Sequence, residues 1–514
     1  MPRPWESLYP GGLPYVEPAG EPVHELLDRV GSRFPERCAA LQLETSTCLT
    51  WSGLAEASKR VAGLLRSLGV GRGSQVLFAS FNRVEALAGL LGIWRAGGAA
   101  VLVDPLTISE DLQSQLEGRP IRVGVVSSQF FERERETLAK SGVESVLVVD
   151  SQPREAQGLK VYSMGDALKE DPVAGDDVRG DDVSVIMYYA GIAGRTMQVY
   201  HTHAALSTAV EALAATMRLG FEPTSIVVAP ITHVLGLQVS TLTPLYMGGR
   251  VVMMQRWSAS LALSAIELYG ISYVSGAPMM HDDLVSEALK RGGLYGVVKV
   301  GLSGGAPLKG ETQDAFNRAF GAPLVQFYGM TESWVLTIQP FSVSDVKGTV
   351  GAPIADVDVK IVDPGNPSLE KGVGEVGELL ARAPWIMKGY EDEGETKGAI
   401  IDGWLRTGDL MVMDSRGLLY FRGVRKRMIK YKAYPIFPKD LEAVLLKHPA
   451  VERAYVYGEP DPDVGERPVA KVILKQGMKG SVTEEDLLKF VNSRVAFYKK
   501  LHRVYIVDSI PELG

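Results

Sequence analysis

The sequence predicts an α/β fold in which parallel sheets carry helices on both faces, followed by a separate, smaller α+β domain. First, amphipathic helix patterns alternate with short apolar runs from residue 22 to about residue 362. Second, this alternation gives way after Asp409 to a compact unit of about ninety residues, a normal domain size. Third, the length of 514 residues exceeds what one hydrophobic core supports, so two or more domains are expected.

The first part of the chain repeats an order of helix, turn and strand. Apolar residues at helical spacing predict the helices, and short apolar runs predict buried strands. Gly69 stops the second helix. A charged, Gly-containing connector covers residues 171–182, after which the alternation resumes. The predicted elements are helices 22–34, 51–68 and 84–94 and strands 76–78, 99–103, 123–126 and 146–149.

The last part of the chain has a different character. Residues 422–432 carry six basic side chains. We place the domain boundary between residues 409 and 426, just before or within this basic stretch. The elements predicted around it are strand 418–421, helix 438–446, strands 451–457 and 469–474, and helix 484–494.

Composition and charge exclude several classes of protein. Hydrophobic residues make up 46% and charged residues 22%, which is ordinary for a globular domain. The net charge of −7 and the lack of a dense basic tract argue against nucleic-acid or anionic-membrane partners. The longest apolar run, 86–94, is too short to span a membrane.

The cysteines and the first residues predict a cytoplasmic protein. Cys38 and Cys48 lack metal-ligand spacing and fit a reducing compartment without disulfides. The chain begins without the apolar segment of a signal peptide. The oligomeric state is left open between a monomer and a homodimer.

One stretch, residues 326–333, concentrates groups that suit a nucleotide. A short apolar run at 323–325 predicts a strand that ends in a Gly turn, and ligands of open α/β sheets bind at such strand ends. Tyr328 can stack on a flat ring, Thr331 can donate to an anion, and Glu332 can hold a hard cation such as Mg2+.

Several short motifs follow one another along essentially the whole chain. The motifs are Asp104-Pro105, Pro230 to Gly236, Ser303 to Leu308, Tyr328 to Glu332, Leu405 to Leu410, Ile429 to Lys432, Pro438 to Glu442 and Gly465 to Ala470. Each motif is weak alone, but their joint order is specific. Taken together, they resemble the adenylate-forming acyl-CoA synthetase superfamily.

The resemblance implies both a fold and a reaction. Two doubly wound sheets and a small β-region would form a large domain over residues 1–410, with subdomains at about 1–180, 181–350 and 351–410. A small mobile α+β domain would cover 424–514 and swing about a hinge near Lys426. A carboxylic acid, ATP and CoA would react through acyl-AMP, with Mg2+, to give acyl-CoA, AMP and pyrophosphate.

The resemblance also implies roles for particular residues. The implied catalytic residues are His233, Thr331, Glu332 and Lys430, with Glu332 also the metal ligand. The implied nucleotide-binding residues are Gly191, Gly194, Gly304, Gly305, Ala306, Pro307, Phe327, Tyr328, Gly329, Asp409 and Lys426. The implied acyl pocket comprises His233, Val234, Leu237, Met330 and Trp334, and the implied CoA contacts are Lys432 and Ala433.

The phosphate-binding parts depart from the family pattern. The family's phosphate loop reads roughly Tyr-Thr-Ser-Gly-Thr-Thr-Gly-x-Pro-Lys-Gly, whereas residues 188–198 here lose its hydroxyls and place Met197 at the lysine. Val424 replaces the arginine that precedes the hinge, and the sequence stops before the family's terminal lysine. These departures predict impaired adenylation, unless Arg195, His201 or Lys430 supplies the missing charge.

Three interpretations remain open at this point. The protein could be an active ligase, a relative that binds AMP, acyl-AMP or acyl-CoA without making acyl-AMP, or a non-catalytic partner of an active relative. Affinity for AMP but not ATP would favour the second interpretation, and no nucleotide affinity would favour the third.

Overall fold

The structure is a computed structural model that confirms the predicted α/β class. It has two large sheets flanked by helices, a smaller β-sheet, and a terminal α+β unit. Within the described ranges, no helix is both long and apolar enough to cross a membrane. The described residues are 3–18, 20–152, 157–190, 196–343, 346–424, 429–432, 434–436 and 438–510.

The large part contains most of the helices and strands. A 3-10 helix at Pro4–Leu8 opens it, and a π-helix at Leu235–Leu242 lies near its middle. The strands are β1 (Cys38–Gln42), β2 (Cys48–Thr50), β3 (Gln75–Ala79), β4 (Ala99–Leu102), β5 (Ile121–Val126), β6 (Ser145–Val148), β7 (Lys160–Ser163), β8 (Val183–Ala190), β9 (Thr196–Thr202), β10 (Thr224–Val227), β11 (Arg250–Met253), β12 (Tyr273–Gly276), β13 (Val300–Ser303), β14 (Leu324–Met330), β15 (Trp334–Ile338) and β16 (Ala352–Pro353). The helices are α1 (Val23–Gly31), α2 (Trp51–Ser67), α3 (Val84–Arg95), α4 (Ser109–Leu116), α5 (Ser128–Lys140), α6 (Met164–Ala167), α7 (His203–Met217), α8 (Thr243–Tyr246), α9 (Ala259–Tyr269), α10 (Pro278–Lys290) and α11 (Gly310–Phe320).

The rest of the chain forms the smaller sheet and the terminal unit. The smaller sheet and its surroundings contain β17 (Asp358–Val362), β18 (Gly377–Arg382), β19 (Gly389–Tyr390), α12 (Glu393–Ala399), β20 (Ile400–Ile401), β21 (Trp404–Met413) and β22 (Leu419–Val424). The terminal unit contains β23 (Ile429–Tyr431), β24 (Tyr434–Ile436), α13 (Pro438–Leu446), β25 (Val451–Asp461), β26 (Gly465–Leu474), α14 (Glu484–Asn492), a 3-10 helix at Phe497–Lys499 and β27 (Arg503–Ile506).

The two large sheets have parallel interiors that are buried on both faces. One sheet has the order β19-β9-β8-β4-β3-β5-β6-β7, and the other β16-β15-β14-β13-β12-β10-β11-β1-β2. Alternate side chains of β3 enter different hydrophobic clusters, with Phe78 on one side and Leu77 on the other. This burial on both faces explains why the strands read as continuous apolar runs rather than alternating patterns.

The two large sheets also exchange strands along the chain. Strand β1 pairs in parallel with β11, so an early segment completes the sheet built mainly from later residues. Conversely, β8 and β9 extend the sheet built from the early strands. The order of predicted elements along the sequence contains no signal for this exchange.

The strand leading into the 326–333 stretch is longer than predicted. Instead of ending in a turn at Gly329, β14 runs through Gly329 to Met330 and pairs antiparallel with β15. A Cβ at Gly329 would lie 2.0 Å from the carbonyl oxygen of Trp334, so this glycine permits close strand contact rather than a turn. The turn itself falls at residues 331–333.

The expectation that the two cysteines stay unpaired is wrong. Cys38 and Cys48 are joined in a disulfide, with their Cα atoms 5.9 Å apart. The physical reason is the antiparallel pairing of β1 with β2, which places both residues side by side at the edge of a sheet. Sequence spacing alone does not reveal that a tight hairpin brings them together.

The terminal unit has its own core and contacts the large part. Its sheet has the order β24-β23-β26-β25, with β27 pairing β26, and one hydrophobic cluster fills it. Lys499 of this unit lies 3.1 Å from Asp440 in the same unit and 3.6 Å from Asp111 of α4. The buried lysine therefore carries an ion pair across the boundary between the two parts.

Candidate active site

Asp409 and Tyr328 form a buried pair at the predicted nucleotide site. Asp409 lies on β21 and Tyr328 on β14, and the phenol donates a hydrogen bond of 2.7 Å to Oδ2 of the carboxylate. Burial raises the pKa of Asp409, while the charge of Lys430 and the phenol lower it. Oδ1 accepts no hydrogen bond from any described residue, so it is available to a ligand hydroxyl.

The turn between β14 and β15 places Thr331 and Glu332 beside this pair. Glu332 is 2% exposed, and the phenol of Tyr390 donates to its Oε1 over 2.7 Å. The backbone N–H of Met387 donates to the main-chain oxygen of Glu332 over 2.8 Å. Two contacts thus hold Glu332 in place, and sequence reasoning did not find Tyr390.

No cluster of three or more metal-ligating side chains occurs among the described residues. Mg2+ is commonly held by one or two carboxylates together with substrate phosphates, so Glu332 alone fits such a site only with a nucleotide present.

A buried histidine supports the turn between β14 and β15. The imidazole of His201, on β9, accepts a hydrogen bond of 3.0 Å at Nδ1 from the indole of Trp334. Its Nε2 lies 2.7 Å from the carbonyl oxygen of Thr331. Because an indole only donates, Nδ1 must be unprotonated, and Nε2–H therefore donates to Thr331. Burial lowers the pKa of His201 to about 4, so it is neutral and cannot supply the charge missing from the phosphate loop.

His233 lies just before the π-helix and pairs with Asp104. Its Nε2 lies 2.9 Å from Oδ2 of Asp104, and its side chain is 46% exposed. His233 is therefore not enclosed in the hydrophobic core. Oδ1 of Asp104 also accepts from the backbone N–H of Leu106 over 2.7 Å, which fixes the carboxylate toward the histidine.

The glycine stretch at residues 303–307 allows backbone to approach an aromatic ring. A Cβ at Gly304 would lie 2.3 Å from the ring of Phe327, and Gly305 has φ of +81°. The carbonyl of Ala306 accepts from Gln326 over 3.2 Å, and Pro307 follows in the same loop. The buried hydroxyls of Ser303 and Thr232, in this loop and the His233 loop, have no partner among the described residues.

The β23–β24 hairpin of the terminal unit lies near both Asp409 and Asp104. Lys430 lies 5.0 Å from the ring of Phe421, and its charge acts on Asp409. Tyr434 stacks on Tyr498 with ring centroids 4.5 Å apart. Burial, aided by the charge of Asp104 near His233, raises the pKa of Tyr434 to about 12. Lys432, between these residues, has φ of +49°.

The predicted acyl-pocket residues differ in exposure. Trp334 and Leu237 are completely buried, so neither borders space that admits a water molecule. Val234, Met330 and His233 retain accessible surface. Of the five predicted pocket residues, only these three could therefore contact a ligand without a change in packing.

The structure leaves part of the predicted site undescribed. Gly191, Gly194, Lys426 and Ala433 lie outside the described residues, as does Arg195. Met197 is described: it is 7% exposed and packs in an apolar cluster with Met387, Tyr390 and Leu405.

A buried carboxylate–phenol pair, a polar turn and a terminal unit packed against the large part agree with the resemblance to adenylate-forming enzymes. A model of AMP-binding enzymes matches residues 27–391, and a model of their C-terminal domain matches residues 440–513. The chain belongs to the AMP-binding enzyme family and is an enzyme of the ligase class.

Similar proteins extend over nearly the whole chain. The 4-coumarate–CoA ligase 3 of Oryza sativa subsp. japonica is 30% identical over 91% of this chain and 85% of its own length. The amide bond synthetase of Marinactinospora thermotolerans is 26% identical with a TM-score of 0.81, covering 95% of this chain and 96% of that one. The o-succinylbenzoate CoA synthetase of Bacillus subtilis shares the fold at 24% identity and a TM-score of 0.81, covering 96% and 97%.

Proposed function

We propose that the protein joins a fatty or aryl carboxylic acid to CoA with ATP as the energy source, and that its first half-reaction is slow. In the first half-reaction, a carboxylate oxygen of the acid bonds to the α-phosphorus of ATP and pyrophosphate leaves. In the second, the thiolate sulfur of CoA bonds to the acyl carbonyl carbon. The carbon–oxygen bond to AMP breaks, and AMP leaves with its electron pair.

The buried pair of Asp409 and Tyr328 supports nucleotide binding. Asp409 can accept from the ribose hydroxyls through Oδ1 while Tyr328 holds Oδ2. Gly304 packs directly against the ring of Phe327, so the backbone of the 303–307 loop lies close to the sheet, where a flat base could stack on it. Thr331 can donate to a phosphate oxygen from the adjoining turn. These four groups would hold the AMP portion, which is common to ATP and acyl-AMP.

Glu332 would hold Mg2+ together with the nucleotide phosphates. When bound, the cation would neutralise charge on those phosphates. Tyr390 and Met387 fix the carboxylate and the backbone of Glu332, so the ligand oxygen would be oriented before the nucleotide arrives.

The single observation that carries the slow first half-reaction is the burial of Met197 in an apolar cluster. The family resemblance places a phosphate-binding lysine at this position. The thioether carries no charge, and His201 on the same strand is neutral. Loss of one preorganised charge stabiliser typically slows a reaction by about 10²–10³-fold.

The contacts of the terminal unit support the second half-reaction. Its β23–β24 hairpin brings Lys430 toward Asp409 and Tyr434 toward Asp104. We include in the proposal a small domain of residues 424–514 that rotates about a hinge near Lys426 between the half-reactions. Lys432 and Ala433 would then contact CoA.

The accessible residues of the pocket support an acid with an apolar body. Val234 and Met330 present apolar surface beside the exposed imidazole of His233. The similarity to a 4-coumarate–CoA ligase favours an aryl acid within this class. Because Trp334 and Leu237 have no accessible surface, the acid would bind beside His233, Val234 and Met330.

A second candidate function is binding of AMP, acyl-AMP or acyl-CoA without adenylation. The same observation, an apolar residue where a phosphate-binding lysine is expected, favours it. The two candidates differ in whether pyrophosphate is released from ATP and whether a thioester is formed from the acid.

The test is to measure ATP–pyrophosphate exchange and consumption of synthetic acyl-AMP with CoA on one preparation. We expect acyl-AMP to be consumed far faster than acid and ATP. Met197→Lys should increase the exchange rate by about 10-fold or more, whereas the matched control Met197→Leu should leave it unchanged. Brisk exchange in the wild type would contradict slow adenylation, and no thioester from any acid or acyl-AMP would exclude the ligase.

A further inference from the structure

We propose that His201 and Trp334 form a positioning pair that holds the Thr331–Glu332 turn ready for the nucleotide phosphates. The indole N–H donates to Nδ1 over 3.0 Å, and Nε2–H donates to the Thr331 carbonyl over 2.7 Å. The imidazole thus connects the first residue of β15 to the turn that precedes it. This proposal rests on the proposed nucleotide site.

The turn needs such support because its backbone is unusual. Trp334 has φ of +55°, in the left-handed region that residues with large side chains rarely adopt. Its carbonyl oxygen packs where a Cβ of Gly329 would stand, so the hairpin is tightly closed at this point. The indole hydrogen bond fixes the Trp334 side chain while its backbone holds the rare conformation.

Both partners of the imidazole belong to the site, which distinguishes His201 from the other buried histidines. His281 lies 2.9 Å from the carbonyl of Leu302, on a different strand. His203, which is equally buried, accepts at Nδ1 from the backbone N–H of Val23 over 3.4 Å, near the first helix. Only His201, among the described histidines, bonds to the turn that carries Thr331.

The His201–Trp334 pair would act by orienting the turn and would take no part in the chemical step. With the Thr331 carbonyl fixed, the peptide plane that follows it is fixed as well, and so are the directions of the Thr331 and Glu332 side chains. Tyr390 holds the far end of the Glu332 side chain. Removal of His201 would leave this end and the Met387 contact in place but release the Thr331 carbonyl, so the phosphate and cation contacts of the turn would lose alignment.

The experiment compares His201→Leu with His201→Gln in the full chain. Leucine removes both hydrogen bonds, whereas the glutamine amide can accept from the indole and donate to the carbonyl. We expect His201→Leu to weaken AMP binding in calorimetry by roughly 10- to 100-fold, as for other outer partners of ligand-binding groups. His201→Gln should restore most of the affinity, and His203→Leu, the matched control, should lower stability without changing AMP affinity.

A spectroscopic measurement reports on the pair directly. The indole N–H proton resonance of Trp334, assigned by its loss in Trp334→Phe, should move upfield in His201→Leu and return in His201→Gln. Equal AMP affinity in wild type and His201→Leu, or no rescue by glutamine, would overturn the proposal. A wild type that binds AMP but forms no thioester would refute the ligase activity alone, whereas one that binds no AMP would overturn the pair's role too.

Discussion

Replacement of Asp409 by asparagine should weaken AMP binding without lowering the stability of the protein. The amide has nearly the same shape and can still accept from Tyr328, but it carries no charge. A hydrogen bond to a charged group contributes about 1.5–3 kcal/mol, compared with about 1 kcal/mol between neutral groups. With two ribose hydroxyls on the carboxylate, the AMP affinity of Asp409→Asn should fall by about 10- to 100-fold.

The same substitution should not destabilise the protein. Burial raises the pKa of Asp409 in the folded state above its unfolded value, so protonated Asp409 favours folding at low pH. That contribution is lost as the pH rises through the folded pKa, and at pH 7 the ionised carboxylate opposes folding. Asparagine avoids this desolvation, so the melting temperature of Asp409→Asn at pH 7 should equal or exceed that of the wild type.

Calorimetry with AMP from pH 5 to 8, together with thermal melts, tests both statements. The wild-type affinity should decline more steeply toward low pH than that of Asp409→Asn, because the phosphate of AMP titrates in both cases whereas Asp409 becomes protonated only in the wild type. Asp414→Asn serves as the control, since Asp414 follows the same strand but is partly exposed and bonds to Arg416. An Asp409→Asn protein that binds AMP within about twofold of the wild type would refute the ribose assignment.

Three further predictions concern the surroundings of the site. Tyr390→Phe removes the donor to Oε1 of Glu332, so half-maximal thioester formation in a Mg2+ titration should require a higher Mg2+ concentration. An unchanged Mg2+ requirement would exclude Glu332 as the metal ligand. Lys499→Met should weaken contact between the terminal unit and Asp111 and increase the radius of gyration in small-angle scattering, whereas an unchanged radius would mean that other contacts suffice. Burial lowers the pKa of four histidines to about 4 or below. The free energy of unfolding should therefore fall as the pH drops below about 6.5, by about 1 kcal/mol per histidine and pH unit in urea melts; constant stability between pH 7 and 5 would contradict it. The four are His24 and His203, with pKa lowered to about 3, and His201 and His281, with pKa lowered to about 4.

Long periodic patterns were read well from the sequence because burial on one side imposes them. The helix predicted at 51–68 is Trp51–Ser67, and the one at 84–94 is Val84–Arg95. The strand leading to Tyr328 was too short because Gly329 was interpreted as a turn, although in the structure it allows close contact with Trp334. A glycine signals unusual backbone geometry but not which kind.

Motifs in the sequence predicted the residues of the candidate site but not the hydrogen bonds that hold those residues in place. Asp409 and Tyr328 were named as nucleotide-binding residues, but their mutual hydrogen bond depends on two strands far apart in sequence. His201 was considered only as a source of charge. Its neutral role needs a partner on another strand, and a lone histidine within an apolar run gives no such signal.

The exchange of strands between the two large sheets has a consequence for synthesis of the chain. Gln42 of β1 pairs with Met253 of β11, 211 residues later. At about 5–20 residues per second, the partner strand emerges from a ribosome roughly 10–40 s after β1. During that interval β1, whose side chains are almost all buried in the finished protein, has no parallel neighbour. Nascent chains that end before residue 253 are therefore expected to bind chaperones or aggregate, and separate expression of residues 1–180 should fail for the same reason.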